Sequence, residues 1–548
     1  MSGVSTTSSG NDRIETWKTP WTAQREKAQN ARTTDEPVLS ESMRTAPASM
    51  NAKRLELRRR RRLMYAPAAF AGFTLLLIAS HQGRVLELFF PAGALAVASL
   101  LYKRSPAHYL SFVYWLYFLT PEVRRLSDYF NGTFNERSLI MLAPVMAAAL
   151  CSMNLLTHFP VLLQRRAIPL TLIMLGILYG YVIGMVGTGI AAATFELISW
   201  LFPVLIGFHV LVNWRQYPDY YRTMLKTFIF GGLVIASYGV VQYVNPPAWD
   251  AFWLLHSGMK SEGVPLPFSM RVASTMNSSG PFASTMMVCL LMNRAARNKV
   301  SLLVSVVAVP AFIGTMVRAA FGGLLVGLLY LFIMAENRSR LRLAGGLAAI
   351  VLLCSPVAMV DNISQQATTR LATITQLKTD NSYQARAEIY QYFLSEMTTN
   401  IAGRGLGAVG LGSKLSDDSD HVVDFDSGLM EVPYVLGWPG TLLYVGGLLM
   451  LVYRTLVANM SNKPDGFALA NAAGAFGILS MMVFAHTLLG ASGMFFFVGM
   501  LLPLAERRYV REMQRAVPAV ARERFQPHSA PAATVEQLNI ASPVIHGG

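Results

Sequence analysis

Apolar runs of about 20 residues recur along this chain from Leu63 to Leu504, and they decide its fold class. Each is long enough to cross a ~30 Å hydrocarbon core as an α-helix. Lipid cannot satisfy open backbone N–H and C=O groups, so repeated runs of this length specify helices. The expected fold is an all-α polytopic membrane protein. It has about 14 transmembrane helices and a long, partly helical periplasmic loop. Charge content agrees: 14% of the residues are Asp, Glu, Lys or Arg, against roughly 25% in soluble domains.

Basic residues set the orientation. Arg58–Arg62 abut the first apolar run, and every second loop carries at least two Lys or Arg, for example Lys103 with Arg104 and Arg165 with Arg166. Clusters of this kind stay on the cytoplasmic side. They also account for the net charge of +15 without a nucleic-acid partner. The expected organisation is a disordered basic cytoplasmic tail over 1–62 and transmembrane helices 1 to 11 over 63–358. A periplasmic loop follows over 359–430, then helices 12 to 14 over 431–505 and a cytoplasmic tail over 506–548. Both termini fall inside, with no cleavable leader. Cys151, Cys289 and Cys354 lie within apolar runs and read as buried small hydrophobes, with no metal-ligand spacing.

Two outer loops are long, roughly 245–280 and 359–430. In the second, Tyr383, Ala387, Tyr390 and Phe393-Leu394 share one face at helical spacing, ahead of the turn Gly403-Arg-Gly-Leu-Gly407. Long loops in compact domains are functional or disordered, and this periodicity predicts an ordered cap.

Four arginines break the positive-inside pattern: Arg271, Arg318, Arg386 and Arg404. Arg318 sits in a tight turn between two apolar runs, at the edge of the bilayer, where a guanidinium must snorkel, pair or bind an anion. Planar guanidinium forks match phosphate oxygens, so several converging at a membrane surface would form a diphosphate clamp. Asp426 and Glu431 flank the point where the long loop re-enters the membrane. A carboxylate beside a bound phosphate can take a proton from an attacking hydroxyl, and His421 upstream could do the same. The competing roles are a helix cap for Asp426, a pair with an arginine for Glu431, and an exposed loop position for His421.

Taken in order, these segments resemble the O-antigen ligase and O-antigen polymerase (Wzy-like) membrane glycosyltransferases. Arg271 with Asn277 is similar to an arginine-then-asparagine motif before a middle span. Gly314-Thr-Met-Val-Arg318-Ala is similar to a Thr-x-Ser-Arg-Gly element, with Val317 and Ala319 departing from it. Ser382-Tyr-Gln-Ala-Arg386 with Tyr390 resembles a Ser-x-x-Arg helix, and Asn400 to Gly407 resembles an Asn-Pro-Leu-x-Gly-x-Gly turn. Asp426 stands where the ligases carry their histidine base, which favours a polymerase of O-antigen or exopolysaccharide repeat units.

The resemblance implies a metal-independent, inverting transferase in the bacterial inner membrane with no cofactor. Its donor would be an undecaprenyl-diphosphate-linked glycan and its acceptor a second glycan. Other polysaccharide export proteins would be further partners. Asp426 or His421 would be the base. Arg271, Arg318, Arg386 and Arg404 would hold the diphosphate, and Asn277, Glu431 and Tyr390 would meet the glycan. The alternatives are an O-antigen ligase acting on lipid A core and, in another class, a glycan transporter. The absence of inverted repeats and of charge at mid-membrane depth weakens the transporter reading.

Overall fold

A computed structural model describes residues 63–296, 299–334, 340, 381–410, 412–415, 425, 427–461 and 464–516. The described residues from Leu63 to Tyr509 fall in one compact unit. Among the described residues the protein is helical, apart from one isolated antiparallel bridge between Gly263 and Met270.

The first helices are α1 (Leu63–Ala79), α2 (Gly83–Arg104), α3 (Pro106–Asn131) and α4 (Leu139–Thr157, a run of α and 3-10 turns). Next come α5 (Ile168–Gly187), α6 (Ile190–Val212), α7 (Tyr217–Val244) and the short α8 (Ala248–Ser257). They continue with α9 (Ser279–Ala296), α10 (Lys299–Gly314) and α11 (Arg318–Met334). The last are α12 (Asn381–Thr399), α13 (Gly428–Ser461), α14 (Gly466–Met481) and α15 (Gly490–Ala516).

Among the described residues six helical segments are long and apolar enough to cross a membrane: α2, α4, α5, α6, Trp214–Val244 and Gly428–Met460. Shorter apolar helices are α1, Val300–Gly314, α11 and α14. The expectation of an all-α protein with several membrane-length helices is met; six such helices are described, against the about 14 spans read from the sequence. The span expected over 343–358 lies outside the described residues.

One boundary differs for a physical reason. Hydropathy ends a span at residue 120, yet α3 runs on to Asn131. Pro106 starts it at a position where a missing N–H costs nothing, and Gly132 closes it in the left-handed conformation (φ 66°). The added turns carry Glu122, Arg125 and Asp128, all buried. Glu122 and Arg125 meet partners beyond their own helix, Tyr238 and Asp250, whereas Asp128 pairs within it with Arg124 at 3.5 Å.

Close packing relies on small residues, as in helix pairs that lack a hydrophobic drive in lipid. On α5, a side chain at Gly176 would stand 2.7 Å from the Gly440 carbonyl of α13. Gly323 and Gly327 of α11 abut the carbonyls of Gly477 and Ala473 on α14. Those two contacts run antiparallel, and continuing the register sets Arg318 level with Met482. At the other end of α14, Asp465 caps the helix by accepting from Phe467 and Ala468 N–H at 3.0 and 2.8 Å.

Candidate functional site

The chain between α8 and α9 carries Arg271 and Asn277, and its 271–275 stretch is pinned by hydrogen bonds. Arg271 N–H donates to the Glu262 carbonyl and Val272 N–H to the Gly314 carbonyl. Gln242 accepts from Ala273 and Ser274 N–H at 3.0 and 2.7 Å. Ser279 gives its N–H and its hydroxyl to the Glu262 carboxylate. Beneath lies Arg125, fully buried, which donates to Asp250 Oδ1 (2.9 Å) and the Ser274 carbonyl (2.6 Å), and also to the Met276 carbonyl. Its guanidinium lies 4.5 Å from the centre of the Trp253 ring. The Tyr238 hydroxyl is 2.7 Å from Glu122 and 2.8 Å from Asp250, and accepts from Trp249 at 2.7 Å.

Arg271 reaches across to the next loop. Its Nε donates to the Thr315 carbonyl at 3.0 Å, and its Nη1 to the Ser261 carbonyl at 3.4 Å. Three of the four described non-glycine residues with positive φ lie in these two segments: Phe268 (59°), Ser274 (52°) and Met316 (55°). Each such residue costs of order 1–3 kcal/mol and persists only where its surroundings over-determine it. The first of these two strained, cross-linked loops carries half-buried Arg271 and, beyond buried Ser274 to Met276, exposed Asn277, and the second ends on exposed Arg318. No described group pairs with Arg318.

The glycine turn does a different job. Gly437 breaks α13 (φ 59°, ψ −177°), and Pro439 has no N–H for the Val435 carbonyl. Gly405 N–H takes that carbonyl and Arg404 N–H takes Tyr434, while Trp438 N–H donates to Ile401. On its other side the turn meets α5, where Leu406 N–H donates to the Gly180 carbonyl. The turn thus satisfies the backbone of a broken membrane-length helix. Its arginine is engaged too: Arg404 Nε donates to Glu396 Oε1 of α12 at 2.6 Å.

That hydrogen bond holds Glu396 below the usual carboxylate range, against the opposing pull of partial burial. A depressed folded pKa gives stability that is complete above the ordinary Glu value of ~4.3 and is lost as pH falls through the folded one. Proteolysis of the 400–410 segment is therefore expected to accelerate on acidification below about pH 4. The Arg404→Gln chain should be cut more readily at neutral pH and should change less with acid.

A fourth feature joins α13 to the α14–α15 turn. Gly428 N–H donates to the Met482 carbonyl at 2.9 Å. Glu431 Oε1 meets His486 Nδ1 at 2.8 Å, and the His486 ring stands edge-on to Trp200 of α6, with centroids 4.5 Å apart. In the neutral imidazole that donates Nδ1–H to this carboxylate, the lone pair lies on Nε2. Nε2 is buried with no hydrogen-bond partner, and the His486 side chain is 3% exposed. Such an orphan costs about 1–3 kcal/mol. Glu196, within electrostatic range of both groups, accepts from Gly412 N–H at 2.9 Å.

The sequence-derived set is therefore placed unevenly. Arg271 and the Arg318 turn are brought together, and Asn277 is exposed just beyond the pinned stretch. Arg404 is tied to Glu396, and Glu431 is engaged by His486 rather than by an arginine. Arg386 and Tyr390 lie on α12, with side chains outside the described set. Asp426 and His421 lie outside the described residues. Sequence reasoning missed Arg125, Gln242, Glu262 and His486. A lone histidine between the last two apolar runs was the one signal available for His486. Among the described residues no group of three metal-ligating side chains is gathered. Comparison with protein families and with characterised proteins returns no significant match.

Proposed function

We propose that this chain joins undecaprenyl-diphosphate-linked oligosaccharide repeat units into a surface polysaccharide at the periplasmic face of the bacterial inner membrane. In this reading it crosses the membrane about 14 times, with both termini cytoplasmic. The observation that supports it most is the Arg271–Thr315 link: two strained loops set a half-buried and an exposed arginine at one end of the apolar helices. A lipid carrier presents its diphosphate at that depth. Fixed guanidinium donors would stabilise the charge that develops on the diphosphate as the anomeric carbon leaves it. The donor brings its own leaving group, so the protein's part is to position and to neutralise.

Deleting the protein should leave single lipid-linked repeat units in the membrane and shorten or abolish the surface glycan. Long carrier-linked chains beside bare lipid A core would indicate a ligase instead, and unchanged glycan would rule out both. Arg318→Ala, at normal protein level, should slow chain extension about 10- to 100-fold, the worth of one hydrogen bond to a charged group. Arg318→Lys should recover part of that loss, because a point charge lacks the planar fork.

A further inference from the structure

We infer that His486, oriented by Glu431, is the proton acceptor of this site. The inference rests on the glycosyl-transfer reading above and names a group that reading leaves open. The Glu431 carboxylate fixes the tautomer through Nδ1, at 2.8 Å, which leaves a basic lone pair on Nε2. That atom is buried with no partner, and buried polar atoms in folded proteins nearly always have one. A polar hydrogen brought by a ligand would supply it. The Trp200 ring meets the imidazole edge-on, and Gly428 packs against His486, where an added side chain would stand 2.9 Å from its Cα and 3.3 Å from its Cδ2.

The position suits the clamp. Gly323 abuts Gly477 and Gly327 abuts Ala473, so the antiparallel register sets Arg318 level with Met482, four residues before His486. Met482 in turn accepts from Gly428, one turn from Glu431. The imidazole and the exposed guanidinium therefore lie at the same end of the α11–α14 pair. In the step, an acceptor hydroxyl oxygen bonds to the anomeric carbon while its proton passes to Nε2. The bond from that carbon to the diphosphate oxygen breaks, and its electron pair leaves with the lipid diphosphate. The proton is later released to water, which restores the neutral imidazole.

The test uses the full-length protein as the sole copy in cells, with lipid-linked and surface glycans separated by size. His486→Asn keeps an N–H near the Nδ1 position for Glu431 but has no atom at Nε2. It should accumulate in the membrane at the normal level and extend chains at least about 100-fold more slowly, the range of a lost general base. Purified in bilayer discs, it should still bind undecaprenyl diphosphate as the parent does, whereas Arg318→Ala should not. Parental extension by His486→Asn would overturn the inference and leave the polymerase reading standing. Loss of undecaprenyl diphosphate binding in His486→Asn would also overturn it, by giving the ring a structural role. If deletion of the protein leaves the glycans unchanged, both fall together.

Discussion

Arg125→Met is expected to be among the most damaging single changes outside the reacting groups, with a loss of about 3–5 kcal/mol. Arg125 is fully buried and donates to Asp250 and to the carbonyls of Ser274 and Met276. Methionine keeps the unbranched stem but leaves a carboxylate without a counter-charge, the Met276 carbonyl without its donor and the Ser274 carbonyl with only the 3.4 Å contact from Gln242. Removing one partner of a buried pair costs far more than the pair itself contributes. Lysine should not rescue it, because one ammonium cannot reach acceptors that a planar fork spans. Asp250→Asn added to Arg125→Met should recover part of the loss, since the two residues touch and their effects are not additive. The check is thermal unfolding in detergent together with protein yield. A melting temperature within about a degree of the parent would refute the role given to this network.

Gly405→Ala should cost about 3 kcal/mol or more. Its φ is +84°, a region closed to most side chains, and an added Cβ would stand 2.2 Å from the Gly184 nitrogen. Backbone cannot yield as a flexible side chain can, so strain and overlap add. The turn would have to leave α5, and with it would go the N–H that Gly405 gives to Val435. Gly446→Ala is the matched control. It lies in α13 with nothing within 4 Å of an added Cβ, and should be neutral or gain up to about 1 kcal/mol of helix propensity. Equal stability of the two variants would show that the turn is not wedged as described.

The fold was legible where composition alone decides it. The apolar runs at 169–186, 195–212 and 227–244 became α5, α6 and α7, because a continuous apolar stretch has one satisfactory form in lipid. The amphipathic stretch after Asn381 likewise became α12. Legibility ended where charge entered a helix. Arg125 finds its partners at Asp250 and Met276, 125 and 151 residues away, and no local pattern encodes such a meeting. The site shows the same division. Arg271 and Arg318 stood out because they broke the orientation rule, whereas Glu431 and His486 are 55 residues apart and each looks ordinary alone. The Gly403–Gly407 stretch read as a turn, but its purpose lay in the break at Gly437, which only the folded chain reveals.

The interruption in α13 bears on how this chain is built during synthesis. A segment with Pro433, Pro439 and a bent Gly437 enters lipid with carbonyls that its own backbone cannot cover. The residues that cover two of them, Arg404 and Gly405, precede it in the chain. They have therefore already emerged when the late helix arrives, and can dock as it leaves the translocation machinery. Order of translation supplies the missing partner at the moment of need, and moving the 400–407 segment downstream of α13 would strand the helix halfway through its insertion.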